Sequence, residues 1–337
     1  MPADDRSLTI VVAEIVLVTG GTGFVGRVLV ERLARQANVR VLGRRPMPRW
    51  RLNSHVEHVR ADITDEGVIE RAVEGVHTIY HLAAATAGPW ETFQAATVGA
   101  SRRLMEILAA AGNARVILVS SLGNYDGNAM SPGLTINEDF PLEQSSAGRG
   151  YYALAKTQAE LSVHSFLTHP GVRLTIVRPG IVYGAGMKNP LTGVAIPLKG
   201  SAWVMFGNGK KPLPLVYIDD VVDTFIEIST NERTFGRIYN IVHSEQPQQN
   251  DYLELYRQLS GDSRTLLRLP LQRLNLALHA VDLFNRKVRR CDSQYAYAAR
   301  RMACQVRYSG ERLFRETGLA PKTAYADGLR QMYQSKS

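Results

Sequence analysis

Short apolar, β-branched runs recur through the first 180 residues, separated by longer stretches with helical periodicity. Ile15 to Thr19, Val39 to Leu42, Val56 to Ala61, Thr78 to Leu82, Val116 to Ser120 and Leu174 to Arg178 read as strands buried in a parallel sheet. Phe24 to Gln36, Asp65 to Glu74, Phe93 to Ala111 and Tyr151 to Phe166 are long and periodic enough for the crossover helices between them. Such alternation predicts an α/β chain with a doubly wound parallel sheet. From about Gly184 the pattern loosens into Pro- and Gly-rich segments, then resumes with a strand-helix element at Leu215 to Ile228 and a strand at Arg237 to Val242. The expected division is a sheet domain over residues 1–183, completed by about 215–243, with 184–214 and 244–337 forming a smaller lobe.

Composition narrows the class. Of 337 residues, 45% are hydrophobic and 21% charged, which suits a globular chain with a full core. The longest apolar stretches, Leu8 to Val18 and Leu266 to Phe284, are broken by Glu14 and by Arg268, Arg273, His279 and Asp282, so neither reads as a membrane span. Met1 to Arg6 lacks the basic lead of a secretory signal, and a cytoplasmic protein is expected. Cys291 and Cys304 sit in neither a CxxC nor a metal-ligand spacing, so no disulfide framework or metal site is implied. The net charge of +9 is local: residues 264–315 hold twelve Arg/Lys against three Asp/Glu, and the rest of the chain is balanced. That segment is either a solvated basic face or a contact for an anionic partner. It contains no helix-turn-helix, finger or ribonucleoprotein motif, so nucleic acid is not expected.

The first strand runs into Thr19-Gly20-Gly21-Thr22-Gly23-Phe24-Val25-Gly26. Gly20 permits the tight turn, Gly23 lets backbone approach a pyrophosphate, and Gly26 lets the helix pack closely on the strand, while the N–H groups at the helix start face the anion. After a strand and before an amphipathic helix, this loop predicts a Rossmann dinucleotide site. An acidic residue ending strand two would favour NAD. This strand ends Gly43-Arg44-Arg45 instead, which removes the carboxylate and offers two guanidinium groups to a 2′-phosphate, so NADP is expected over NAD unless both arginines are ordinary surface charge. Asp62, followed by Ile63, is placed either to contact the adenine or to cap the next helix.

Tyr152 and Lys156 form an i, i+4 pair on one helical face. An ammonium beside a phenol favours phenolate, and moving a tyrosine from about 10 to neutrality takes roughly 4 kcal/mol, which a lysine and an oxidised nicotinamide together can provide. Strand five ends Ser120-Ser121, at the carboxyl edge where open α/β sheets bind ligands, and strand four ends His81-Leu82-Ala83-Ala84, whose small side chains leave room for a flat cofactor. His81 itself reads as a structural histidine.

The set resembles the extended short-chain dehydrogenase/reductase family, which includes nucleotide-sugar epimerases and dehydratases, 3β-hydroxysteroid dehydrogenases and dihydroflavonol reductases. Its motifs stand in order here: Thr19 to Gly26, Asp62-Ile63, His81 to Ala84, Ser120-Ser121, Tyr152/Lys156, Arg178-Pro179-Gly180 and Val216 to Asp220. The resemblance implies that Ser121 orients the substrate oxygen, Tyr152 is the general acid/base, and Lys156 tunes it while binding the nicotinamide ribose. Phe24, Val25, Leu82, Ala83, Ala84 and Pro179 join the cofactor contacts on the same ground. A homodimer through the helices near Phe93 to Ala111 and Tyr151 to Phe166 is implied likewise.

Departures from the family pattern separate its branches. Leu122-Gly123 follow Ser121 where dehydratases carry an Asp-Glu pair, which argues against dehydration. Ile181 and Leu213 fall where nucleotide-sugar enzymes commonly place an Asn and an Arg for the substrate, although Lys188, Lys210 and Lys211 lie close in sequence. Thr97 replaces the usual Asn in the helix after strand four, which puts local helix geometry in question. The favoured reading is an oxidoreductase moving a hydride between NADP(H) and a secondary alcohol or ketone of an apolar small-molecule substrate. A nucleotide-sugar epimerase with retained cofactor and a non-catalytic dinucleotide-binding protein remain as alternatives. Finally, the apolar run Leu266 to Phe284 precedes Arg286-Lys287-Val288-Arg289-Arg290, which is either a lobe helix with solvated arginines or a substrate lid with a peripheral membrane contact.

Overall fold

The computed structural model describes residues 14–47, 55–112, 114–143, 150–198, 202–285, 287, 299, 301 and 303–334, with 271–277 described by backbone alone. Cys291 and most of the basic run after Asn285 therefore lie outside the described residues.

Seven strands form the central sheet: β1 (Ile15–Thr19), β2 (Asn38–Leu42), β3 (Val56–Val59), β4 (Val76–His81), β5 (Ala114–Val119), β6 (Val172–Pro179) and β7 (Arg237–Ile241). All pairings are parallel, in the order β7-β6-β5-β4-β1-β2-β3. The order reverses on either side of β1, which makes a crevice at its carboxyl end. Register sharpens that crevice: Thr19 pairs with both Leu42 and His81, so three strand ends open at one level.

Helices cover both faces. On one, α1 (Phe24–Leu33) presents Leu29, Val30 and Leu33 to Val221, Val222, Phe225 and Ile228 of a helix at Ile218–Thr230. On the other lie α2 (Val68–Val73), α3 (Ala100–Ala111) and α4 (Gly150–Val163), with Leu104, Met105 and Leu108 in the core. Two expected helices differ at their starts. The one expected from Asp65 begins at Val68, because Gly67 takes a left-handed φ of 68° after the Asp62–Asp65 turn. The one expected from Phe93 starts at Trp90 and passes through a π-helical turn at Gln94–Gly99 before α3. π-turns of this kind interrupt helices mostly near functional sites.

The lobe is built from segments far apart in sequence. Ala202–Phe206 pairs antiparallel with Ile196–Leu198 and parallel with Thr265–Leu269, and its core holds Trp203, Met205, Tyr252 and Leu253. The apolar run from Leu266 is thus a strand, then Pro270, then a helix at Leu271–Phe284. The expected division of the chain is not clean. Leu215–Tyr217 pairs with Ile181–Tyr183 outside the central sheet, while the helix at Glu311–Thr317, in the stretch expected to be lobe, puts Leu313 into the first sheet-face core. Among the described residues, no helix is long and apolar enough to cross a membrane.

Candidate active site

The crevice at the carboxyl end of β1 is an open cleft of about 230 Å³ lined by Gly20, Thr22, Gly23, Gly43, Arg44, Arg45, Asp62, Ile63, Leu82, Ala83, Ala84 and Tyr152 among others. Twelve positions singled out from sequence therefore line one cleft. Two glycines show why the loop needs them. Gly20 has φ +73°, and a Cβ there would stand 2.9 Å from the Ala83 backbone nitrogen. A Cβ on Gly26 would stand 2.3 Å from the Gly20 carbonyl oxygen, so only glycine lets α1 start this close to the loop. Phe24 and Val25 sit at the first turn of α1, where their side chains pack toward the lobe and the sheet core, and Pro179 is buried at the end of β6. Ala85, Thr86 and Ala96 also line the cleft, and nothing local in the sequence distinguished them.

Asp62 does two jobs. One carboxylate oxygen accepts from the Thr64 N–H at 3.0 Å and hydroxyl at 2.8 Å, and the other accepts from Arg44 at 3.2 Å. Partial burial alone would raise its carboxyl, but the Thr64 donors and the Arg44 charge hold it below the usual range. Gly43, Arg44 and Arg45 line the cleft together, with Asp62 as the nearby carboxylate.

The polar chemistry comes from α4 and the loop after β5. Tyr151 packs on Trp90 and Phe93 with ring centroids 5.7 and 6.0 Å away, which leaves Tyr152 as the tyrosine facing the cleft. Tyr152 is 45% exposed as a residue, yet desolvation of its phenol raises the pKa above the ordinary tyrosine value. Lys156, one turn on, is buried and donates to the Val119 carbonyl oxygen at 2.7 Å. Burial pulls its ammonium down to about 8, against the pull of Glu160 upward. Ser121 begins a short 3₁₀ turn at Leu122–Asn124, its Oγ accepting from the Gly123 N–H at 2.9 Å.

A residue that sequence reasoning missed ties these parts together. Glu160, one turn beyond Lys156, is fully buried. Its Oε1 accepts from Arg178 Nε at 3.0 Å and Nη2 at 2.5 Å, while its Oε2 accepts from the Ser120 hydroxyl and from Asn124 Nδ2 at 3.0 Å. Burial would raise this carboxyl, but His164, Arg178 and Ser120 together hold it well below the usual range. Successive turns of α4 thus meet successive residues of the loop: Lys156 at Val119, then Glu160 at Ser120 and Asn124. The i, i+4 continuation of the Tyr152/Lys156 pair was the available signal.

Two further expectations concern single residues. His81 is enclosed, its ring bonded to Thr19 Oγ1 at 2.8 Å and Ser101 Oγ at 2.9 Å, and burial first, then the Lys156 charge, lowers it to about 3. It is a structural neutral imidazole. Thr97 lies in the π-turn, where its hydroxyl accepts from the Ala85 N–H at 2.9 Å and fixes the loop after β4 to the helix.

A cleft at the switch point of a doubly wound sheet, lined by a glycine loop and a tyrosine with a buried lysine one helical turn on, is the arrangement of the NAD(P)-dependent short-chain dehydrogenase/reductase class. A sequence profile of the NAD dependent epimerase/dehydratase family matches residues 16–242, and the chain belongs to that family. UDP-N-acetyl-alpha-D-glucosaminuronate decarboxylase of Bacillus cytotoxicus is 26% identical over 276 residues, covering 77% of this chain and 84% of the relative. Sterol demethylase protein B of Methylococcus capsulatus is 28% identical over 332 residues, covering 93% of this chain and 96% of the relative. The solved structure of MoeE5 in complex with UDP-glucuronic acid and NAD superposes with a TM-score of 0.72 at 20% identity, over 95% of this chain and 98% of that one, which shows the shared fold. The chain is an NAD(P)-dependent enzyme of the extended type, an oxidoreductase or epimerase.

Proposed function

We propose that the chain moves a hydride between NADP(H) and a secondary alcohol or ketone of a largely apolar substrate, using Ser121, Tyr152 and Lys156. The observation that carries this reading is the lacing of α4 to the Val119–Asn124 loop, which fixes the helix bearing Tyr152 and Lys156 against the loop bearing Ser121, with Tyr152 lining the cleft. The bound nicotinamide supplies the hydride acceptor or donor. Ser121 donates to the substrate oxygen and orients it. Tyr152 passes the proton to or from that oxygen. Because burial raises the Tyr152 phenol, proton release depends on positive charge beside it, and Lys156 is the charge this chain provides.

Arg44 and Arg45, beside Gly43 at the cleft, support a 2′-phosphate. An apolar substrate is supported by Leu213 and Ile181 standing where nucleotide-sugar enzymes commonly carry an Arg and an Asn, and by the near full-length likeness to a protein named for sterol demethylation. A homodimer paired through α3 and α4, in the cytoplasm, completes the reading.

Epimerisation of a nucleotide sugar is the second reading. One observation favours it: a relative named UDP-N-acetyl-alpha-D-glucosaminuronate decarboxylase is 26% identical over 77% of this chain. A non-catalytic dinucleotide-binding role is the third. Titration with NADPH and NADH, followed by nicotinamide fluorescence after a check for co-purified cofactor, separates them. Exchangeable NADPH with weak NADH supports the reductase, whereas tightly retained NAD overturns it in favour of the epimerase. Unchanged cellular function of Tyr152→Phe removes both enzyme readings.

A further inference from the structure

A sheet with one face in water ordinarily alternates apolar residues inward with polar residues outward. The three-stranded lobe sheet does not. Trp203 and Met205 point into the lobe core, with Leu266 packed against the same cluster. Cross-strand partners share a face, so the opposite face carries Leu198, Ala202 and Thr265 in one row, Ile196, Val204 and Leu267 in the next, and Phe206 with Leu269 in the third. Thr265 is the one polar side chain among these eight, and Ile196, Leu198 and Leu267 are 45, 51 and 41% exposed.

The helix that follows is inverted in the same sense. At its end Asp282 and Asn285 are turned into the protein, 5 and 7% exposed, while Val281, Leu283 and Phe284 are 44, 55 and 53% exposed. Three apolar side chains presented to water within one helical turn are not what folding alone selects, and exposed apolar surface of this kind marks a contact. Charge decides what the contact is with. Residues 264–290 carry seven Arg/Lys and a single acidic residue, Asp282, which is the buried one. Lys287, directly after the apolar turn, is exposed. An apolar surface continuous in sequence with a basic run fits an anionic bilayer, whose headgroups take the charges while the acyl boundary takes Leu283 and Phe284.

We propose that the outer face of the lobe sheet and the end of the Leu271–Phe284 helix form a docking surface for an anionic lipid bilayer. The surface lies on the lobe expected to choose the substrate, so docking delivers a membrane-dissolved substrate to the cleft. This goes beyond the reductase reading and does not need it, because binding is measured without turnover.

The test is co-sedimentation of the full chain with vesicles of phosphatidylcholine alone and of equimolar phosphatidylcholine and phosphatidylglycerol, at low and at raised salt. Binding to the anionic vesicles, about tenfold or more above the neutral ones and weakened by salt, is expected. Leu283→Glu with Phe284→Glu lowers it by about tenfold or more, and Lys287→Glu with Arg289→Glu removes the preference for anionic lipid. Both variants keep the melting temperature and the NADPH affinity of the parent, which separates a lost docking surface from a lost fold. No sedimentation with anionic vesicles at low salt overturns the proposal. So does a concentration-dependent dimer that Leu283→Glu with Phe284→Glu dissolves, since the face would then cover a second copy.

Discussion

Glu160 on α4 and Arg178 on β6 form a two-contact ion pair at 3.0 and 2.5 Å with almost no solvent access, 0 and 2% exposed at their side chains. Arg178 goes on to the Tyr125 hydroxyl at 2.8 Å and the Glu138 carbonyl at 3.1 Å, so the charge pair is fully bonded on both sides. A pair of this kind is worth little against an apolar substitute, but breaking it strands a buried charge. Glu160→Gln is expected to lower unfolding free energy by about 3–5 kcal/mol, and Glu160→Gln with Arg178→Met to recover much of that. Urea unfolding of the three proteins measures it, and equal stability of the single and double variants would contradict the pairing.

Tyr152→Phe removes a hydroxyl from a residue that is half exposed and packs few core groups. Turnover should fall by about 10²–10⁴-fold with little change in melting temperature or cofactor affinity. A fall in turnover matched by lost NADPH binding would assign Tyr152 to the cofactor alone.

Arg44→Ala with Arg45→Ala should weaken NADPH by about 10–100-fold, the worth of one or two charge-assisted hydrogen bonds, and leave NADH within about twofold. Fluorescence titration reads both. Equal losses for the two cofactors would place these arginines on the shared adenosine rather than a 2′-phosphate.

His81 sets an acid limit on stability. Its folded-state value is pushed down to about 3, so the unfolded chain binds a proton below its ordinary value of 6.5 while the folded chain stays neutral. The unfolded state holds more protons in that window, and stability falls as pH drops through it. Between pH 6.5 and 4.5 the loss is about 2 kcal/mol, since the unfolded imidazole is already half protonated at the upper end. Subtracting the unfolding curve of His81→Gln, whose amide can bond Thr19 and Ser101, isolates this slope. A wild-type curve that is flat relative to the variant would contradict it.

What was legible in the sequence was local. Buried parallel strands announce themselves as apolar runs, the glycine loop as three fixed positions, and Tyr152/Lys156 as one helical turn. Each of these needs only neighbours within about eight residues to be recognised. The lobe sheet joins Ala202–Phe206 to Thr265–Leu269 across some sixty residues of chain, and nothing in either segment specifies the other. Glu160 and Arg178 sit eighteen positions apart on different elements, so their pairing follows from the docking of α4 on the sheet. The direction of the Tyr152 shift was likewise out of reach: spacing brings a lysine near, while burial, which sequence does not state, pushes the phenol the other way.

Leu313, 1% exposed, completes the core beside α1, and Glu316 accepts the Tyr239 hydroxyl at 2.8 Å from the edge strand β7. During synthesis on the ribosome, the nucleotide-binding half therefore emerges some seventy residues before the helix that seals its flank. A nascent chain stalled after β7 displays an unfinished hydrophobic seam, the state in which a chaperone would find it.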